Sequence, residues 1–114
     1  MSLVQIIVIG PNGRMGKEVV KAIESSSEFS LYGVVDRERS IEKIEPAANT
    51  VVVDFSDSDY FPTLLKWCEE KRIPLVSGTT ALTESDFKLI ESPSVPVLWA
   101  PNMSIGVALS LIHI

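Results

Sequence analysis

Ile6-Ile7-Val8-Ile9-Gly10-Pro11-Asn12-Gly13-Arg14-Met15-Gly16 is the stretch whose reading decides the rest. Four β-branched residues run into a glycine-rich turn, and a helical pattern starts at once. From Leu3 to Ile9 the chain is apolar apart from Gln5, as suits a strand covered on both faces. From Arg14 to Ser25, Met15, Val19, Val20 and Ile23 share one helical face, with Lys17, Glu18, Lys21 and Glu24 on the other. A glycine at a strand end tolerates positive φ and lets backbone approach an anion closely. The helix behind it points unpaired N–H groups and a positive dipole end at the same place. Arg14 adds a cation suited to phosphate. Gly10, Gly13 and Gly16 spell G-x-x-G-x-x-G, one residue longer in the turn than the common dinucleotide fingerprint. A tight strand–helix turn with a packing glycine explains the same spacing without a ligand. The strong strand before it and helix after it favour the dinucleotide.

Further along, Phe29 to Val35 reads as a second strand ending at Asp36, 20 residues after Gly16. An acid at that place suits the adenosine ribose hydroxyls of NAD, and Arg37 beside it suits a 2′-phosphate. The pair predicts tolerance of both NADH and NADPH; the bland alternative for Asp36 is an exposed strand-end acid. Arg37 to Ala48 reads as a surface connection with one helical turn at Ile41 to Ile44. Thr50 to Phe55 is a third strand, with Asp54-Phe55-Ser56 at its ligand-binding end. Ser56, Asp57 and Asp59 are read as candidate caps for the next helix. That helix runs to about Lys71, its buried stripe being Phe61, Leu64, Leu65 and Cys68, with Pro62 in the first turn. Trp67 falls off the stripe and is expected partly exposed or at an interface. Cys68 is expected to be a buried small hydrophobe.

Ile73 to Ser77 is strand four, followed by Gly78-Thr79-Thr80. Thr83 caps the next helix, with Asp86 completing a capping-box-like arrangement and Leu82 and Phe87 forming a staple. That helix ends at Ser92-Pro93. Val95 to Trp99 is strand five, followed by Ala100-Pro101-Asn102-Met103-Ser104. Ile105 to Ile114 is apolar and helix-like.

Length and composition narrow the function classes. The 114 residues fit one domain, and 46% hydrophobic content supports a packed core. A formal net charge of −5 argues against a nucleic-acid partner. No run approaches the ~20 apolar residues of a membrane span, so no membrane partner is expected. Cys68 is the single cysteine, which excludes an internal disulfide and fits a reducing, cytoplasmic setting. No metal-ligand spacing is present, and no metal is expected.

Five strands alternating with helices predict an α/β, Rossmann-like, doubly wound parallel sheet in one domain, with strand order 3-2-1-4-5. The loops at Gly10, Asp36, Gly78 and Ala100 all follow strand ends. Taken together, Ile9 to Gly16, Val53-Asp54-Phe55-Ser56, Gly78-Thr79-Thr80 and Ala100 to Gly106 resemble the dihydrodipicolinate reductase family, from about Val4 to Val107. The resemblance implies an NADH- or NADPH-dependent oxidoreductase of lysine and diaminopimelate biosynthesis, acting on 4-hydroxy-tetrahydrodipicolinate. By resemblance, Gly10, Pro11, Asn12, Gly13, Arg14 and Met15 hold the pyrophosphate, Asp36 the adenosine ribose and Arg37 a 2′-phosphate. Gly78, Thr79, Thr80, Ala100, Pro101, Asn102 and Met103 line the nicotinamide end, and Thr80 also faces substrate. Ala81 stands where the family often has glycine.

The family's second domain, with its catalytic histidine motif and lysine, is not matched, and His113 does not fit it. No catalytic residue is therefore assigned. Residues 1–107 are expected to form the cofactor-binding domain, with 108–114 the start of a helix cut short. The chain alone is expected to be inactive, and to self-associate through its apolar end. A stand-alone or decayed nucleotide-binding module is the competing reading.

Overall fold

The computed structural model describes residues 4–10, 13–36, 41–47, 49–55, 59–78, 84–89 and 95–99. In chain order the elements are β1 (Val4–Ile9), α1 (Arg14–Glu24), β2 (Phe29–Val35), a 3-10 turn at Ile41–Lys43, β3 (Thr50–Asp54), α2 (Phe61–Lys71), β4 (Leu75–Ser77), α3 (Glu84–Leu89) and β5 (Val97–Trp99). All strand pairs are parallel. The α/β class read from the sequence is the one observed. Pro74 and Pro96 lie just ahead of β4 and β5. Lacking an N–H, each serves the ladder only through its carbonyl, which accepts from Val52 and from Leu75 respectively, both at 3.0 Å.

The strand order departs from the expected 3-2-1-4-5: it is β2-β1-β3-β4-β5. Strand β3 lies on the far side of β1 rather than outside β2. Burial explains the choice. Thr50-Val51-Val52-Val53-Asp54 is almost wholly inaccessible, as a central strand must be. Strand β2 carries Ser30, Tyr32 and Gly33, and Tyr32 is 41% exposed. A strand with polar and small residues is tolerated at an edge and wasted at the centre.

Strand alternation sorts the core into two layers. Ile6, Val8, Val53 and Val76 face one side, where Val19 and Ile23 of α1 cover them. Ile7, Ile9, Val52 and Leu75 face the other, covered by α2 and by Ile41 and Ile44. Phe61, Leu64, Leu65 and Cys68 are all buried, as their spacing predicts. Burial also pushes the Cys68 thiol up to about 12, with Asp54 and Glu69 adding to the shift, so it stays protonated and inert. Trp67 departs from expectation: it is 5% exposed and part of the same layer. The layer takes in more of α2 than a single stripe: Ile41 and Ile44 of the turn and Val95, just ahead of β5, belong to the same cluster as Trp67.

Helix α2 departs from expectation at its start as well. Its cap is Tyr60, with no side-chain cap bond, and Asp59 stands one residue too early. Pro62 in the first turn removes one orphan N–H and so reduces the need for a cap. Ser56 and Asp57 lie outside the described residues, as do Leu82, Thr83, Ser92-Pro93 and the segment Ile105 to Ile114. Asp86 and Phe87 lie on α3, but their side chains are not described.

At its other end α2 closes with a Schellman motif: Ile73 N–H donates to the Cys68 carbonyl at 2.8 Å and Arg72 N–H to that of Glu69 at 3.3 Å. Arg72 there is left-handed, with φ 58° and ψ 48°. Glycine adopts that conformation without the Cβ penalty. Arg72→Gly is therefore expected to stabilise the chain by about 1 kcal/mol, raising Tm by about 4 °C in a thermal melt. A lower Tm would show that the arginine side chain contributes more than its backbone costs.

Candidate functional site: a glycine turn at the sheet's switch point

The chain turns in opposite directions out of β1: through α1 to β2 on one side, and β3 lies on the other. In an open parallel sheet, the crevice at that reversal, beyond the carboxyl ends of the strands, is where ligands bind. Here it lies between the ends of β1 and β3.

Gly10 ends β1 with φ 76°, in the region that favours glycine. Its N–H donates to the Val35 carbonyl at 2.9 Å, tying the turn to the end of β2. Gly13 caps α1 in extended backbone, at φ −74° and ψ 169°. Its carbonyl accepts the first helical bond, from Lys17 N–H at 2.9 Å, but it has no side chain to bond the first-turn N–H groups. No acidic residue occupies that first turn, and Arg14, its first residue, is exposed. The helix start thus combines a positive dipole end and a cation with, among the described residues, no side-chain cap at Gly13 and no acid in the first turn. Gly16 is buried on the same helix, as expected for close packing on the sheet.

Asp36 follows β2 directly and is half-buried. Gly10 is bonded to the residue before it, so the glycine turn and Asp36 are held together. Gly78 follows β4 and donates its N–H to the Asp54 carbonyl at 2.8 Å. A Cβ on Gly78 would stand 2.8 Å from Cδ1 of Phe55 and closer still to Cε1. The glycine is there to seat that ring.

Asp54 and Phe55, read from the sequence as standing at the ligand-binding end of strand three, lie next to the Gly10 turn because β3 adjoins β1. Phe55 N–H donates to the Ile9 carbonyl at 2.9 Å. Asp54 is fully buried on the α2 side and accepts from Ser77 Oγ at 3.1 Å. The signal that points to them is the greater apolarity of β3 over β2, which marks β3 as central. Of the remaining candidates, Pro11, Asn12, Arg37, Thr79, Thr80, Ala100, Pro101, Asn102 and Met103 lie outside the described residues. Met15 lies on α1, its side chain not described.

A groove of about 540 Å³ opens at the opposite edge, lined by Pro46, Asn49, Arg72 and Pro74 among others. It contains none of the strand-end loops. Among the described residues, no group of three or more His, Cys, Asp or Glu is placed to hold a metal, and no helix is long and apolar enough to cross a membrane.

Comparison with known proteins agrees with this geometry. A family model described as dihydrodipicolinate reductase, N-terminus, matches residues 4–103. Among curated relatives, a 4-hydroxy-tetrahydrodipicolinate reductase of Alkaliphilus oremlandii is 36% identical over 106 residues, covering 91% of this chain and 44% of that protein. One from Bdellovibrio bacteriovorus is 33% identical over 110 residues, covering 95% of this chain and 48% of that protein. The chain thus spans less than half the length of these relatives. The solved structure of a dipicolinate-bound dihydrodipicolinate reductase from Paenisporosarcina sp. TG-14 superposes with a TM-score of 0.70 at 20% identity, over 92% of this chain and 49% of that one. It shares the fold. With its glycine turn at the switch point and a family match over almost its whole length, this chain belongs to the dihydrodipicolinate reductase N-terminal family.

Proposed function

We propose that this chain is the NADH- or NADPH-binding half of a 4-hydroxy-tetrahydrodipicolinate reductase, an oxidoreductase of lysine and diaminopimelate biosynthesis. The observation that carries the reading is Gly10: a positive-φ glycine at the end of β1, facing a helix start with no side-chain cap and no acid in its first turn. That arrangement accepts a pyrophosphate on backbone donors. The family's residue roles, carried over by resemblance, complete the reading. Gly10 to Met15 hold the pyrophosphate, Asp36 the adenosine ribose and Arg37 a 2′-phosphate. Gly78 to Thr80 and Ala100 to Met103 hold the nicotinamide end, with Thr80 also toward substrate. The cofactor supplies a hydride when bound, and these residues orient it. The groups that hold the dicarboxylate and deliver the proton belong, in this reading, to the part of the relatives that the chain does not span.

Calorimetric titration with NADH and NADPH tests the reading. The 114-residue chain is expected to bind at least one of them, and Arg14→Ala to weaken that binding roughly tenfold, the worth of one charge-assisted bond to phosphate. A folded chain that binds neither cofactor would sink the proposal.

A further inference from the structure

We propose that the groove at the amino edge of the sheet binds a small carboxylate with an apolar body, which Lys71 and Arg72 hold by its charge. The groove lies at the other ends of the strands that carry the glycine turn. Val4 opens β1 and Thr50 and Val51 open β3, whereas Gly10 and Phe55 follow the far ends. At about 540 Å³ it has the size of a small-molecule site. Its buried and half-buried lining is mostly apolar, from Val4, Val51, Ile73 and Pro74, while Lys71, Arg72 and Asn49 are exposed. The backbone fixes the shape without a ligand. Gln5 N–H donates to the Asn49 carbonyl at 2.8 Å, Val52 N–H to that of Pro74 at 3.0 Å, and Thr50 Oγ1 to that of Ala47 at 2.5 Å. A preformed site loses little freedom when it binds.

Two independent observations point to an anion. The first is charge. The chain has 15 acidic and 10 basic residues, yet the charged residues lining the groove are Lys71 and Arg72 alone. Glu45 and Glu70, each next in sequence to a lining residue, are exposed and do not line it. A guanidinium fork matches a carboxylate with two parallel bonds, and a neighbouring ammonium adds a point charge. The second is backbone strain. Among the described residues, Asn49 (φ 60°) and Arg72 (φ 58°) are the non-glycine residues with positive φ, and both line this groove. Strained backbone collects at ligand sites. Glycine would close α2 at Arg72 without that strain, and Lys71 in the last turn already gives the helix dipole its cation. An arginine kept there against its backbone preference is explained by an anion in the groove. Asn49 tolerates its conformation and offers amide donors to the same ligand.

The test is an NMR titration of the 15N-labelled 114-residue chain with benzoate, read at the backbone amides. Acetate (charge without a ring) and benzyl alcohol (ring without a charge) are the controls. Saturable shifts are expected at Asn49, Thr50, Arg72 and Ile73, with a Kd of about 1 mM and controls roughly tenfold weaker. Arg72→Gly should weaken benzoate about tenfold while raising Tm, and a variant that gains stability does not lose binding by misfolding. Lys71→Gln, which leaves the backbone of the helix end as it is, should weaken benzoate in the same direction and carries the test if Arg72→Gly fails to fold. Arg14→Ala, at the other edge, should leave the titration unchanged. Four results would each overturn the proposal: no saturable shift at the groove, shifts centred on Gly10 to Gly16 that Arg14→Ala removes, acetate binding as well as benzoate, or binding indifferent to both groove variants. None of these outcomes depends on whether the chain binds NADH or NADPH.

Discussion

Gly10→Val is expected to abolish measurable binding of NADH and NADPH and to lower stability by about 2 kcal/mol. Two separate effects add. The backbone at Gly10 has φ 76°, where a β-branched side chain is strained by its own Cβ substituents. The new side chain also stands in the turn ahead of α1, where the proposed reading brings a pyrophosphate close to backbone N–H groups. Calorimetry and urea unfolding read the two effects independently. Gly13 is the informative contrast within the same motif. Its φ of −74° suits any residue, and a Cβ there would meet only the Gly10 carbonyl oxygen at 3.7 Å. Gly13→Ser should fold normally, because serine is a favoured cap, but its hydroxyl would take a first-turn N–H that the proposed phosphate site uses. Weakened binding with unchanged stability is the expected pattern. A Gly10→Val chain that binds as the original does would remove the phosphate role from this turn.

Phe61→Ala is expected to destabilise the chain by about 4 kcal/mol and lower Tm by roughly 15 °C. Phe61 opens α2, is wholly buried, and lies in the layer with Ile7, Val52 and Leu64. Its removal leaves a ring-sized void at the place where the helix meets β1 and β3. For a domain whose total stability is in the usual range of roughly 5–15 kcal/mol, that is a large share. Thermal or urea unfolding measures it. A cost under about 1 kcal/mol would mean that neighbours collapse into the space and that this layer is loosely packed.

Where the argument was local, the sequence was sufficient. The near-continuous apolar runs marked β1 and β3, and the i, i+3, i+4, i+7 stripe of Phe61, Leu64, Leu65 and Cys68 marked α2. The glycine turn and Asp36 were legible for the same reason, since a strand end, its turn and the next helix are covalent neighbours. The cap of α2 was not legible. Ser56, Asp57 and Asp59 are all good capping types, yet Pro62 and the packing of Phe61 set the helix start at Tyr60. Trp67 was misread because one helical wheel shows one face, whereas the buried layer it joins also draws Ile41, Ile44 and Val95 from elsewhere in the chain.

The amino-acid sequence by itself determined which segments are strands and helices, that the sheet is parallel, and that a glycine turn followed by an acid could read a dinucleotide. Those properties depend on side-chain pattern and backbone freedom within about thirty residues, the span of a βαβ unit. Only the tertiary structure decided that β3 crosses to the far side of β1. That choice rests on comparing how much apolar surface β2 and β3 each have to bury, a competition between segments and not a property of either. It moved the switch point to β1 and β3, brought Phe55 onto Gly78 and Asp54 beneath Ser77, and tied Tyr60 to Ile41.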